Sequence, residues 1–217
     1  MSAAGKPTAP TPSRRRPRQS RARHTALALQ QAFVQLLVER DYGRITIREI
    51  VLVAGTSLGS FYDYFASKED LARVCLHLRS KALLAALHEA IEAHRGRPLA
   101  ELVEAMLHSQ IAAHQGAGRE WGAHYLLERH LSGAEAYRKM YQRFVDEWTT
   151  GFAAASDLPD PLPVPAQEAA AVCQAILYGL IAHRHLSRPE HPDLPALEHQ
   201  ASLALQAYLH TALAGGD

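Results

Sequence analysis

Apolar side chains recur every three or four residues from Ala26 to Leu209, and almost nowhere every two. A helix turns once in 3.6 residues, so that spacing lines them up on one face, and it restricts the chain to an all-α fold. Ala26, Leu29, Phe33, Leu36 and Leu37 predict an amphipathic helix over 24–40, ended by Tyr42-Gly43. Thr46 is placed to cap a second helix running to about Val53, with Glu49 three residues on completing a capping box. Ala54-Gly55-Thr56 breaks it, and Ser57 caps a third short helix to about Tyr64. Ser67 caps a long fourth helix to about His94, with Glu69 and Asp70 in its electropositive first turn. Apolar stripes then predict helices over 99–115, 119–131, 134–155, 166–186 and 195–213, separated by Gly and Pro. Ile45-Thr46-Ile47 alternates but is too short for a strand.

Charge divides the chain unevenly. Residues 1–24 hold Lys6, Arg14, Arg15, Arg16, Arg18, Arg21 and Arg23 and no acid, a charge of +7 against +1 for the whole chain, which leaves −6 for the remainder. A basic arm on an acidic body fits a polyanionic partner reached through the arm. Pro7, Pro10, Pro12 and Pro17 oppose a transit-peptide helix, and no apolar stretch marks a signal peptide, so residues 1–23 read as a disordered arm. No apolar run approaches the ~18 residues a spanning helix needs, so no membrane partner is expected. Cys75 and Cys173 each lie in an apolar run and read as buried free thiols, which fits a cytoplasmic protein. The 13 histidines raise the question of a metal. Their spacing argues against one, because His183 and His185 sit two apart on a helix and point in different directions. No cofactor, nucleophile–base set or phosphate loop is expected either.

Three short helices within 25–65 fit a helix-turn-helix, with Gly55 supplying the left-handed residue at the tight turn. The residues from Tyr42-Gly43-Arg44-Ile45-Thr46 through Ala54-Gly55-Thr56-Ser57-Leu58-Gly59-Ser60-Phe61-Tyr62 to Phe65-Ala66-Ser67-Lys68 and Leu71 resemble the TetR family of bacterial transcriptional regulators. The family pattern there is G-x-x-x-T-x-x-x-I-A-x-x-A-G-V-S-x-G-x-x-Y-x-[YH]-F-x-[SN]-K-x-x-L. Val51 stands where the family usually has Ala, Thr56 where it has Val, and Leu52 and Val53 where polar residues are common. Domain limits follow: a basic arm over 1–23, a helix-turn-helix domain over 24–68, and a helical ligand-binding and dimerisation domain over 69–217.

The resemblance implies roles by position. Arg48 reads a base, since Arg bonds guanine bidentately. Leu58, Gly59 and Ser60 open the recognition helix, with Gly59 allowing close approach and Leu58 meeting a thymine methyl. Thr46, Ser57, Tyr62, Tyr64 and Lys68 contact phosphates, and Arg23, with Arg18 and Arg21, reaches the backbone or minor groove. Phe61 and Phe65 read as core.

Behind this, the resemblance implies pairing of the last two helices in a two-fold bundle, with Ile176, Leu177, Leu180, Ile181, Leu205 and Leu209 at the interface. The homodimer then spaces its recognition helices about 34–36 Å apart on an inverted-repeat operator in double-stranded DNA. It also implies a small-molecule pocket lined by Met106, Trp121, His124, Tyr125, Tyr137, Trp148, Phe152 and Tyr178, with the long fourth helix as the lever. The expected function is a repressor released by that ligand. A DNA-binding activator or architectural protein without an effector, and an all-helical enzyme, remain as alternatives.

Overall fold

The computed structural model describes residues 16–213. Nine α-helices make up the described chain: α1 (Arg16–Glu39), α2 (Ile47–Val53), α3 (Leu58–Tyr62), α4 (Lys68–Ala93), α5 (Leu99–Ala112), α6 (Gly118–Leu131), α7 (Ala134–Ala154), α8 (Ala166–Ser187) and α9 (Leu194–Leu213). A single 3-10 turn at Tyr42–Arg44 links α1 to α2. Among the described residues there is no strand.

Helix starts on the N-terminal side are set by their own side chains. Thr46 accepts the Glu49 N–H while Glu49 reaches back to the Thr46 N–H, a complete capping box. Ser57 accepts from the Ser60 N–H and Ser67 from the Asp70 N–H. Gly55 closes the α2–α3 turn at φ +63°, a conformation that costs side-chain-bearing residues.

One expectation shifts. Residues 16–23 continue α1 rather than belonging to a disordered arm. Pro17 lies in the first turn, where its missing N–H has no intrahelical partner to lose, so it does not stop the helix. The rest of the expected arm, residues 1–15, lies outside the described residues.

Two apolar cores hold the fold. In the first, Leu29, Phe33, Leu36 and Leu37 of α1 pack with Ile45, Ile50, Phe61, Phe65, Leu71 and Cys75. In the second, Leu84, Leu87 and Ile91 of α4 pack with Leu102, Met106, Trp148, Phe152, Leu177, Ile181, Leu205 and Leu209. Each such side chain contributes about 1.5–3 kcal/mol when fully buried. Two helices enter both cores. α4 passes from Leu71 in the first to Ile91 in the second. α6 contributes Leu127 to the first core and Trp121 and Tyr125 to the second. The expected boundary at residue 68 therefore cuts through a shared core, because α4 and α6 are built into both sides.

Candidate nucleic-acid interface and interior cavity

Helix α3 is held by one anchor and otherwise faces solvent. Phe61 is fully buried, edge-on to Tyr62 at 5.4 Å and tilted against Phe65 at 5.8 Å. Leu58, Gly59, Tyr62 and Tyr64 are exposed around it, and so is Arg48 on α2. A Cβ built on Gly59 meets only the Ser57 hydroxyl at 3.8 Å, so nothing inside the chain requires glycine there. Leu52, on α2 one turn beyond Arg48, is 79% exposed, an apolar residue left without cover. Arg23 is exposed on α1.

Three residues expected at phosphates are engaged within the chain. Lys68 Nζ donates to the carbonyls of Tyr42 (2.8 Å) and Ile45 (2.7 Å) and lies 4.2 Å from the centre of the Tyr42 ring. Partial burial lowers its pKa. It clamps the 3-10 turn to the start of α4, and two of its three N–H groups are committed. The Thr46 hydroxyl donates to Glu49 Oε2 at 2.7 Å, and its backbone N–H goes to the same oxygen at 2.8 Å. Glu49 is fixed in turn by Arg40 at 2.7 Å. Its pKa falls chiefly because Thr46 hydrogen-bonds its charged form. The Ser57 and Ser60 hydroxyls face each other at 2.9 Å. The motif spacing placed Thr46 and Ser57 correctly as caps, and beyond the capping bond the Thr46 O–H is committed to Glu49 and the Ser57 hydroxyl is paired with that of Ser60.

A cavity with about 60 Å³ of free volume lies between α4, α5, α6, α7 and α8. Trp121, His124, Tyr125 and Tyr178 line it, as expected. Met106, Tyr137, Trp148 and Phe152 do not. Met106 packs on Gly151, where an added Cβ would come within 2.8 Å of its sulfur. Trp148 is fully buried, its indole N–H donating to Gln174 Oε1 at 3.2 Å, and Phe152 packs beside it. Tyr137 stands outside, stacked on Tyr141 and edge-on to Tyr178. The apolar face of α7 runs past the cavity into the packed core, and periodicity cannot separate lining from packing.

The polar wall was not foreseen. Arg79, Gln110, His114, Glu128 and Gln174 also line the cavity. A sequence signal existed: Gln110 lies between Leu107 and Ile111, and Gln174 between Cys173 and Leu177, at positions an apolar stripe would fill. The Arg79 guanidinium lies 3.5 Å over the Trp121 ring and donates to the Glu120 carbonyl at 3.3 Å. Burial lowers its pKa to about 10. On the other face of Trp121 is the His114 ring, 3.7 Å from the indole and 5.0 Å from His185. His114 Nδ1 donates to the Gln110 carbonyl at 2.7 Å, which leaves Nε2 to accept from the Tyr125 hydroxyl at 3.1 Å. His124 Nδ1 likewise donates to the Glu120 carbonyl at 2.9 Å. Burial pushes His114 down to about 3 and His124 to about 4, so both are neutral near pH 7. Four enclosed polar atoms make no direct hydrogen bond of good geometry: Trp121 Nε1, Glu128 Oε1 and both ring nitrogens of His185, although Tyr178 bonds the Glu128 carboxyl and the Gly118 backbone lies near the His185 ring. Among the described residues no cluster of three His, Cys, Asp or Glu forms a metal site.

The family model for bacterial regulatory proteins of the tetR family matches residues 31–75. That stretch, from the middle of α1 through α2 and α3 into the start of α4, is where the chain is similar to the tetR family. It is 26% identical over 145 residues to the HTH-type transcriptional regulator YxbF of Bacillus subtilis, a match covering 58% of this chain and 38% of that relative. The chain thus spans well under half of that longer protein. Among solved structures, a transcriptional regulator from Rhodococcus superposes with a TM-score of 0.67 at 22% identity, covering 86% of this chain and 97% of that one. SmeT, the repressor of the Stenotrophomonas maltophilia multidrug efflux pump SmeDEF, superposes at 0.68 with 19% identity, covering 88% and 92%. SmeT is also known in complex with triclosan.

The C-terminal helices correct the interface expectation at four of its six residues. Leu177, Ile181, Leu205 and Leu209 are buried in the chain's own core, and Ile176 and Leu180 are half-buried. The outer faces of α8 and α9 carry instead Val172, Ala175 and Gly179, with Leu203 and Ala207. Helix α8 is apolar nearly all round, so its sequence cannot say which stripe faces inward. No described helix is long and apolar enough to cross a membrane.

Proposed function

We propose that this chain is a TetR-family protein, a homodimeric transcriptional repressor that grips an inverted-repeat operator through α3 and lets go when a small molecule fills the interior cavity. The observation that carries the reading is the exposed face of α3, anchored only by Phe61. Gly59 opens that face to close backbone approach, Leu58 presents an apolar contact, and Arg48 on α2 supplies a base-reading fork. Tyr62 and Tyr64 remain free to meet phosphates. Lys68, Thr46 and Ser57 act one step back, by fixing the turns that present these groups.

Dimerisation is assigned to the outer stripe of α8 and α9. Val172 (38% exposed) and Leu203 (52% exposed) leave apolar surface that a second copy would cover, and an added Cβ on Gly179 meets nothing within 4 Å, so two helices can approach closely there. Two copies then present paired recognition helices at about one DNA turn.

The lever is α6 together with α4. Trp121 and Tyr125 of α6 wall the cavity, while Leu127 of the same helix is buried in the core that supports α1 and α3. A ligand that shifts α6 therefore moves a side chain of the DNA-side core. Differential binding of about 1–3 kcal/mol is the usual scale of such coupling. The neighbour SmeT, a repressor that binds triclosan, supports the effector half of the reading. The cavity favours it over an architectural protein without an effector.

Selection of bound duplexes from a random pool by the purified chain tests the proposal. Enrichment of an inverted repeat, with two chains per site, is expected. A monomer that ignores duplexes at low salt would overturn it.

A further inference from the structure

We propose that the cavity takes a small organic cation, an ammonium group on a compact apolar body, with Glu128 as its counter-charge. The inference rests on reading the cavity as the effector site and adds the chemical class of the effector.

The charges on the cavity wall set the sign of a ligand that would complement them. Only Arg79 and Glu128 can be charged there near pH 7, since His114 and His124 are held neutral by burial. The Arg79 charge is met within the chain. It stacks on Trp121, bonds the Glu120 carbonyl and has the Glu120 carboxylate at 3.9 Å. Glu128 is different. Its Oε1 is enclosed and has no hydrogen-bond partner. Arg129, the next residue, is exposed and forms no ion pair at contact distance, so its charge reaches Glu128 only at longer range. Burial raises the Glu128 pKa, while a hydrogen bond from the Tyr178 hydroxyl to the carboxyl and the Arg129 charge lower it, which leaves Oε1 as the unpartnered oxygen. The unmatched charge on the wall is therefore negative. An enclosed carboxylate oxygen without a partner is costly, and a cation that binds it removes that cost.

The surroundings suit the rest of such a ligand. Tyr125, Tyr141, Phe144 and Tyr178 offer aromatic faces, which attract cations, and Met140 and Leu177 add apolar surface. About 60 Å³ is the room of roughly five waters, so the body must be compact. Glu128 also adjoins Leu127, which is buried in the DNA-side core. A cation drawn to Glu128 acts on the turn of α6 that supports the reading helices.

The test uses the full chain and three probes of one shape: cyclopentylamine, cyclopentanol and cyclopentanecarboxylate. Their binding near pH 7 is measured by titration calorimetry or ligand-observed NMR, with wild type, Glu128→Gln and the cavity-filling Leu177→Trp. We expect the amine to bind at least about tenfold more tightly than the alcohol, and the carboxylate not to bind. Glu128→Gln should bring amine and alcohol level, and Leu177→Trp should remove both. Equal binding of amine and alcohol to the wild type, a comparison that needs no variant to fold, overturns the cation class and leaves the effector cavity standing. So does an amine preference that survives Glu128→Gln. Failure of all three probes to bind, or binding untouched by Leu177→Trp, removes the cavity as their site and the proposal with it.

Discussion

The DNA-side and cavity-side halves treat polar groups in opposite ways. On the DNA side, α2, α3 and α4 each begin with a hydroxyl that caps its own helix, and Lys68 spends two protons on backbone carbonyls. On the cavity side, α5, α6, α7 and α8 begin at Pro98, Ala117, Gly133 and Pro165, and none has a capping side chain at that position. Helix α5 takes its cap from Asp157 across a loop, which bonds the Leu99 N–H at 2.7 Å. All four enclosed, unpartnered side-chain atoms of the described chain belong to α6 and α8. The lesson is physical. A reading surface must present fixed geometry, and local caps supply it. A sensor needs unsatisfied groups, because a group already paired gains nothing from a ligand.

If that contrast is right, perturbations should divide along it. The largest effect is expected from Phe61→Ala, which leaves a void under α3. A loss of about 3–5 kcal/mol is the usual cost of deleting a buried aromatic ring. Amide exchange should show it on the DNA side first, and equal loss of protection around α7 and α8 would blur the division.

Acid should act on the other half. His114 and His124 are held near 3 and 4 in the fold, below the usual 6.5, so the unfolded chain takes up protons before the folded one. Stability is complete above about pH 6.5 and falls as pH drops toward those values, by up to roughly 1.4 kcal/mol per pH unit for each histidine. Denaturant melts at pH 7 and pH 5 should show the loss, and His114→Gln should diminish it. A melt indifferent to pH in that range would mean these imidazoles gain protons in the native state.

A smaller effect, of opposite sign, is expected from His185→Phe. Neither ring nitrogen of His185 makes a hydrogen bond of good geometry, the Gly118 backbone being only an imperfect partner, and the ring lies among His114, Trp121 and Tyr125. An aromatic ring without buried polar atoms should stabilise the fold by about 1–2 kcal/mol. Destabilisation in a thermal melt would show that the nitrogens are satisfied after all. The smallest effect belongs to Ser57→Ala, about 1 kcal/mol from the lost cap of α3. It should weaken DNA binding through a frayed α3, with the salt dependence of binding unchanged. A flatter salt dependence would restore Ser57 to the phosphate contacts.

Much of the fold was legible because its signals are local. The capping box at Thr46–Glu49, the hydroxyls at Ser57 and Ser67 and the positive φ at Gly55 depend on residues within one turn. The expected helix ends beyond α1 accordingly fall within a few residues of the observed ones. The start of α1 was missed because basic residues and prolines suggested an arm, while a proline in the first turn is harmless.

What stayed hidden depends on groups far apart in the chain. Lys68 meets carbonyls 23 and 26 residues earlier, and no spacing rule carries that information. Half of the expected pocket residues pack elsewhere, because an apolar stripe records that a face is buried and not what lies opposite. The same ambiguity put Leu177, Ile181, Leu205 and Leu209 on an outer surface when they fill the interior. Sequence alone determined where the helices after α1 begin, which hydroxyls cap α2, α3 and α4 and, outside α8, which face of a helix is apolar, since backbone geometry settles these over a few residues. Only the tertiary arrangement decided which faces meet. That choice brought Arg79, Trp121, His114 and Glu128 around one cavity, since side chains from α4, α6 and the turn after α5 converge only when the helices are packed.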